Sequence, residues 1–209
     1  MMVIFDLDGV LVDTAKFHYL AWKEVAREFG YVFSEIDNEA FKGVSRIDCM
    51  DMLCEMANLS LSKEGRERVL GRKNDIYLRM VEEDVHLLDG VLELLKDLKM
   101  AGVKMAVGSA SKNVMFVLEK TGITDYFDAI VDGNMVTHAK PDPDVFVMAA
   151  NMAGVECCEC IVIEDAEAGV MAAKSAGMMV VPVALDGGFD SITDISANYL
   201  MGLIGTCVC

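Results

Sequence analysis

The feature that most constrains this chain is its start, where five apolar residues, Met1-Met2-Val3-Ile4-Phe5, run straight into Asp6-Leu7-Asp8-Gly9. A short unbroken apolar run reads as a strand buried on both faces, as in parallel sheets, and the Asp-x-Asp-Gly as the tight turn at its carboxyl end. Open α/β sheets bind ligands at that end, so two carboxylates are aimed into one crevice. Carboxylates that close either keep a proton or share a cation, and Mg²⁺ suits a site of one or two carboxylates beside phosphate and water. Asp6 is then nucleophile and metal ligand, and Asp8 a proton carrier. Taken alone, the turn reads more simply as an acidic, solvated loop, so the rest of the chain has to decide.

The pattern after the turn supplies the architecture. Asp13 and Thr14 can cap a helix with Phe17, Ala21, Val25 and Phe29 on one face, ending near Gly30. Residues 33–81 show helical spacing around 47–57 and 64–80 and no convincing strand. From Asp89 onward helix and strand alternate: helices over about 91–101, 111–121, 141–154 and 166–176, strands over 103–107, 129–131, 161–163 and 179–183, with Gly102, Gly122, Gly154 and Gly177 as stops. The fold class expected is α/β, a Rossmann-like doubly wound parallel sheet with a small α-helical cap domain inserted after the first strand. The boundaries are 1–13 and 85–209 for the core and 14–84 for the cap, hinged near Val12–Thr14 and Asp84–Gly90.

Composition narrows the function. The 209 residues carry a formal charge of −16, which opposes nucleic acid or an anionic membrane as partner, and 54% hydrophobic residues with only 3 Pro oppose disorder. No run reaches the roughly 18 apolar residues of a membrane span, and no charged segment precedes an apolar leader, so the expected location is cytoplasmic. Seven cysteines without a secretion signal point to reduced thiols, and Cys157-Cys158-Glu159-Cys160 to a turn entering a strand rather than a zinc site. The apolar tail from Ala197 to Cys209 lacks charge, unlike an ordinary terminal helix.

The ends of the expected strands bring together Asp6 and Asp8, Gly108-Ser109 and Glu164-Asp165, with Lys140 at a loop-to-helix entry. Two acid pairs, a hydroxyl and a lysine on one sheet edge are what phosphoryl transfer to a carboxylate needs, because catalysis there is mostly positioning and charge stabilisation. In these motifs the chain resembles the haloacid dehalogenase superfamily of phosphotransferases. The resemblance implies an aspartyl-phosphate at Asp6, general acid/base chemistry by Asp8, catalytic support from Ser109 and Lys140, and Mg²⁺ held by Asp6, the Asp8 main-chain carbonyl, Glu164 and Asp165.

Within that superfamily the β-phosphoglucomutase branch is the closer resemblance, carried by residues 5–10, His18 to Trp22, Lys42-Gly43-Val44-Ser45-Arg46, Arg72-Lys73-Asn74-Asp75 and Ser109-Ala110-Ser111-Lys112-Asn113. A mutase holds two phosphates on one sugar, one at Asp6 and one at a distal site. Arg46 suits the distal phosphate through its bidentate fork, and Ser111, Lys112 and Asn113 open a predicted helix whose free N–H groups favour an anion. The resemblance implies that Gly43, Val44 and Ser45 line the sugar site and that His18 and Lys73 support proton transfer at Asp8. Read without it, His18 lies on a polar helix face, Trp22 is a packing residue and Lys73 a solvated helix charge.

The expected activity interconverts β-glucose 1-phosphate and glucose 6-phosphate through a bisphosphate, on a monomer whose only partner is the sugar phosphate. The rivals are a sugar-phosphate phosphatase with the same Asp6/Asp8 machinery and a non-enzymatic Mg²⁺-binding protein. An ordinary Asp pKa near ~3.9 leaves little acid at neutral pH, so cap closure has to desolvate Asp8 or supply it a hydrogen-bond partner. The chain departs from the family pattern at Gly108, at His138-Ala139 before Lys140, and at Asp89 in the second hinge, where proline is usual.

Overall fold

The computed structural model describes residues 1–185 and 187–204; residues 205–209 of the apolar tail lie outside the described residues. β1 (Met2–Phe5) is followed by four helices, α1 (Ala15–Glu28), α2 (Glu35–Glu39), α3 (Arg46–Met56) and α4 (Lys63–Asp84). Then come α5 (Val91–Met100), β2 (Lys104–Gly108), α6 (Val114–Thr121), β3 (Ala129–Val131), α7 (Asp144–Ala153), β4 (Cys160–Glu164), α8 (Glu167–Ser175), β5 (Met179–Pro182) and α9 (Ala197–Ile204).

The strands form one parallel sheet in the order β3-β2-β1-β4-β5. β1 is central, with Phe5 in register with Val107 on one side and Ile163 on the other, which explains why its four residues are all buried. Alternate residues feed opposite faces. Val3, Phe5, Val107 and Ile163 pack with the apolar faces of α5 and α6, whereas Met2, Ile4 and Val162 pack with Val145, Phe146 and Ala149 of α7 and Ala172 and Ala173 of α8. The chain order reverses at β1, so the crevice of this doubly wound sheet opens at the carboxyl end of β1, where Asp6 and Asp8 sit.

The helices over 15–84 have an apolar cluster of their own, built from Trp22, Ala26, Phe33, Phe41, Cys49, Met50, Leu53 and Cys54. Serines start three of them: Ser34, Ser45 and Ser62 accept the backbone N–H of Asp37, Asp48 and Gly65, which satisfies donors that a helix end leaves open. The two connections to the sheet run side by side, Asp13 N–H donating to the His86 carbonyl and Leu88 N–H to the Leu11 carbonyl, both at 3.1 Å.

Three local expectations change. The helix expected from Ser111 starts at Val114, because Ser109 Oγ accepts the Ser111 N–H and Ser111 Oγ the Asn113 N–H, holding that stretch in a loop. The helix expected from Pro141 starts at Asp144, with Pro143 at its N-cap. Cys158 is disulfide-bonded, an exception to the expectation of reduced thiols, while Cys49, Cys54, Cys157 and Cys160 are free and residues 157–159 form a single turn entering β4 as expected. Among the described residues no helix is long and apolar enough to cross a membrane.

Candidate active site

The Asp6-Leu7-Asp8-Gly9 turn is wound tightly: the N–H groups of Val10, Leu11 and Val12 all point at the Leu7 carbonyl. Gly9 has φ +89°, and a Cβ there would overlap the Asp165 carboxylate. A glycine is therefore required for the turn and for the approach of the acidic pair that ends β4.

Asp6 is 6% exposed and Lys140 3% exposed, each from a different part of the fold. Lys140 Nζ donates to Asp6 Oδ1 at 2.6 Å and to Glu164 Oε2 at 2.7 Å. Glu164 Oε1 accepts the N–H groups of Asp165 and Ala166 at 3.2 and 3.1 Å. Both Glu164 oxygens are thus engaged in shaping the site. Burial, strengthened by Glu164 and Asp8 and opposed by Lys140, pushes Asp6 up to about 7. Burial, together with Asp6 and Glu164 and opposed by Lys42 and Lys140, pushes Asp165 up to about 8.

One buried lysine does not balance three gathered acids. Asp6, Glu164 and Asp165 each offer an oxygen within 4.8 Å of the others, and this all-oxygen donor set, short of positive charge, fits Mg²⁺. Asp165 makes no ion pair among the described residues, which leaves its carboxylate available, whereas Glu164 is already bonded to Lys140.

Asp8 has a separate environment. Thr14 Oγ1 donates to Asp8 Oδ1 at 2.5 Å, His18 Nε2 lies 3.3 Å from the same oxygen, and the Tyr77 hydroxyl donates to it at 3.4 Å. Thr14 therefore gives its hydroxyl to Asp8 rather than to the α1 backbone it caps. On the other edge of the imidazole, Lys73 Nζ lies 2.6 Å from His18 Nδ1. In its ammonium form Lys73 only donates, and Nδ1 is then the acceptor with the proton on Nε2, directed at Asp8.

Burial works against a charge on Asp8, yet His18, Thr14 and Lys73 outweigh it and hold the carboxyl below its ordinary value. The hydrogen-bond partners expected for Asp8 are thus present, and their net effect favours its ionised form. Lys73 is 2% exposed, not a solvated charge, between the rings of Trp22 and Tyr77 at 5.4 and 5.1 Å. Burial and the neighbouring Arg46 bring it down to about 7, despite Asp8 and Cys49.

These groups surround a cleft between the sheet edge and the helices over 15–84. Of the residues expected from sequence, Asp6, Asp8, His18, Gly43, Val44, Arg46, Lys73, Ser109, Ser111, Lys112 and Asp165 line it. Ser45, Asn113, Lys140 and Glu164 do not. Ser45 is spent on Asp48 at the start of α3, Asn113 bonds Asn74 of α4, and Lys140 and Glu164 lie behind Asp6. Gly43, with φ +69°, is where the helical layer touches the sheet side: a Cβ there would lie 3.1 Å from the Ala166 Cβ.

Trp22, set aside from sequence as a packing residue, and Asn38, Phe41, Lys42 and Cys49, given no site role there, also line the cleft. Trp22 follows His18 by four residues, a spacing that puts both on one helix face and that could have found it. No local signal marked Thr14 or Tyr77 as partners of Asp8. The cleft is electrically divided, with Asp6, Asp8 and Asp165 on the sheet side and Lys42, Arg46 and Lys73 on the helical side. Arg46 has no carboxylate partner among the described residues. In a chain of charge −16 this is the local concentration of cations that an anionic ligand needs.

Fold and site together define a doubly wound α/β protein with a carboxylate-rich cleft covered by a helical layer. The chain belongs to the haloacid dehalogenase-like hydrolase family, whose model matches residues 3–183. A β-phosphoglucomutase of Bacillus subtilis (strain 168) is 40% identical over 185 residues, covering 87% of this chain and 82% of the relative. A crystal structure of a β-phosphoglucomutase from Clostridium difficile superposes with a TM-score of 0.91 at 36% identity, over 98% of this chain and 96% of that one. A fructose-1-phosphate phosphatase of Escherichia coli (strain K12) is 32% identical over 185 residues, covering 88% of this chain and 96% of the relative.

Proposed function

We propose that the protein is a β-phosphoglucomutase, interconverting β-glucose 1-phosphate and glucose 6-phosphate through β-glucose 1,6-bisphosphate and a phosphoryl group carried on Asp6. The observation that carries the reading is Arg46, without a carboxylate partner among the described residues, facing the same cleft as Asp6. Hydrolysis requires one phosphate site, and a guanidinium on the opposite wall supplies a second.

Lys140 holds Asp6 Oδ1, leaving Oδ2 as the oxygen that takes the phosphoryl group. In the forward half-reaction the sugar hydroxyl attacks phosphorus, the Asp6–phosphorus bond breaks, and the hydroxyl proton passes to Asp8 Oδ2. Asp8 suits this because Thr14, His18 and Tyr77 engage Oδ1 and favour its ionised form. After the bisphosphate turns around, Asp6 attacks the other phosphorus and Asp8 returns the same proton to the departing sugar oxygen. The acid form is made by the first half-reaction and is not taken from solvent. Mg²⁺, held by Asp6, Asp165 and the Asp8 main-chain carbonyl with Glu164 beside them, would neutralise phosphoryl charge.

The helices over 14–84 act as the cap in this reading, excluding water from phospho-Asp6 so that transfer outruns hydrolysis. A sugar-phosphate substrate also supports the cytoplasmic location. The similarity to a fructose-1-phosphate phosphatase supports one rival, a hydrolase using the same Asp6. A coupled assay with β-glucose 1-phosphate, Mg²⁺ and a trace of the bisphosphate decides. Glucose 6-phosphate from wild type and its loss in Asp8→Ala is the expected result, and phosphate release without the isomer selects the hydrolase.

A further inference from the structure

Among the described residues Lys140 is the one cation buried between Asp6 and Glu164. Its ammonium has three N–H donors, two of which go to Asp6 Oδ1 and Glu164 Oε2. The Phe146 ring lies beside it, with Nζ 4.7 Å from the ring centroid. Phe146 is fully buried on α7, six residues beyond the lysine. The ring reaches this place because β2 ends in Gly108, where a Cβ would lie 2.9 Å from Phe146 Cδ1 and 3.4 Å from Ile4 Cγ2. The departure at position 108 noted from sequence and the position of the ring are thus one steric arrangement.

We propose that Phe146 is a positioning residue for Lys140, its ring face acting as an electrostatic floor that keeps the ammonium between Asp6 and Glu164 where water would otherwise solvate it. The negative face of an aromatic ring attracts a desolvated cation without competing for its N–H donors, so it fixes the position of Nζ and leaves both carboxylate bonds intact. An aliphatic side chain of similar bulk fills the space but lacks that attraction. Because Lys140 sets which Asp6 oxygen is free, a lysine that wanders misplaces the nucleophile. This consequence for activity rests on the phosphoryl-transfer reading; the placement of Lys140 does not.

The test replaces Phe146 by phenylalanines bearing one, two and three ring fluorines, which weaken the ring face stepwise at nearly constant shape, and by Phe146→Leu. Two measurements are made: phosphorylation of Asp6 by acetyl phosphate, and the Lys140 Nζ proton signals by NMR without substrate. A cation–ring attraction of the usual size predicts a graded fall in the phosphorylation rate, about twofold to thirtyfold across the series, with unchanged KM. The Lys140 signals, protected from exchange in wild type, are lost in Phe146→Leu. A rate that is flat across the fluorine series overturns the proposal, as do Lys140 signals unchanged in Phe146→Leu. If wild type is not phosphorylated at all, it is the phosphoryl-transfer reading that fails, and the NMR measurement still decides the role of Phe146.

Discussion

The Asn113 side-chain amide donates to Asn74 Oδ1 at 2.9 Å, joining the loop before α6 to the middle of α4. Neither residue lines the cleft, so this bond acts on the approach of the helical layer to the sheet edge and not on the ligand directly. A net hydrogen bond contributes ~0.5–1.5 kcal/mol. Asn74→Ala is expected to shift the layer toward an open arrangement by about twofold to tenfold, raising phosphate release relative to isomer formation by the same factor. Counting both products in one assay checks this, and an unchanged ratio removes the latch.

Lys73 makes stability depend on pH. Its folded value is about 7 against an ordinary 10.5, so between these the unfolded chain holds a proton that the native chain does not. Stability therefore rises with pH across that window, and the penalty from Lys73 is fully present below it. Lys73→Met removes the titration while keeping the bulk. Denaturant midpoints from pH 6 to 10 should show the variant gaining on wild type as pH falls through this range.

A methyl group at Gly169 tests the Glu164 network. Ala is the better helix former by ~1 kcal/mol, which by itself predicts a more stable α8. A Cβ on Gly169 would overlap the Glu164 carboxylate, however, and Glu164 holds both Lys140 and the turn at Asp165–Ala166. Overpacking costs ~1–3 kcal/mol, so Gly169→Ala is expected to lower Tm by roughly 2–8 °C and to slow Asp6 phosphorylation. Calorimetry showing a higher Tm would mean that Glu164 yields at no cost.

Mg²⁺ should stabilise the protein by relieving the repulsion among Asp6, Glu164 and Asp165. At a hundredfold excess over Kd the gain is ~2.7 kcal/mol, or roughly 5–10 °C in Tm for a chain of this size. Asp165→Asn should lose most of that gain while keeping the Lys140 bonds to Asp6 and Glu164. An equal shift in the variant would move the ion elsewhere.

Much of the site was legible in the sequence because its parts lie where the backbone pattern changes. An apolar strand that stops at an acid marks a sheet edge, which was enough to find Asp6, Asp8, Ser109, Glu164 and Asp165. Ser45 was expected at the sugar site from the resemblance of residues 42–46, and Asn113 at an anion site from its place at a predicted helix start, yet Ser45 caps α3 and Asn113 meets Asn74. The strand order could not be read either, since parallel strands joined by helices carry no local mark of their neighbours.

The sequence by itself determined the alternation of strands and helices, the helical insertion after β1 and the acids at the strand ends, because periodicity, glycine stops and apolar runs act over a few residues. Only the tertiary structure decided which charges are buried and what they hold: Lys73 against His18 across 55 positions, Lys140 against Asp6 across 134, and Phe146 beneath Lys140 through the gap at Gly108. The physical reason is that a charge loses its water, and acquires its partner, through packing between distant segments.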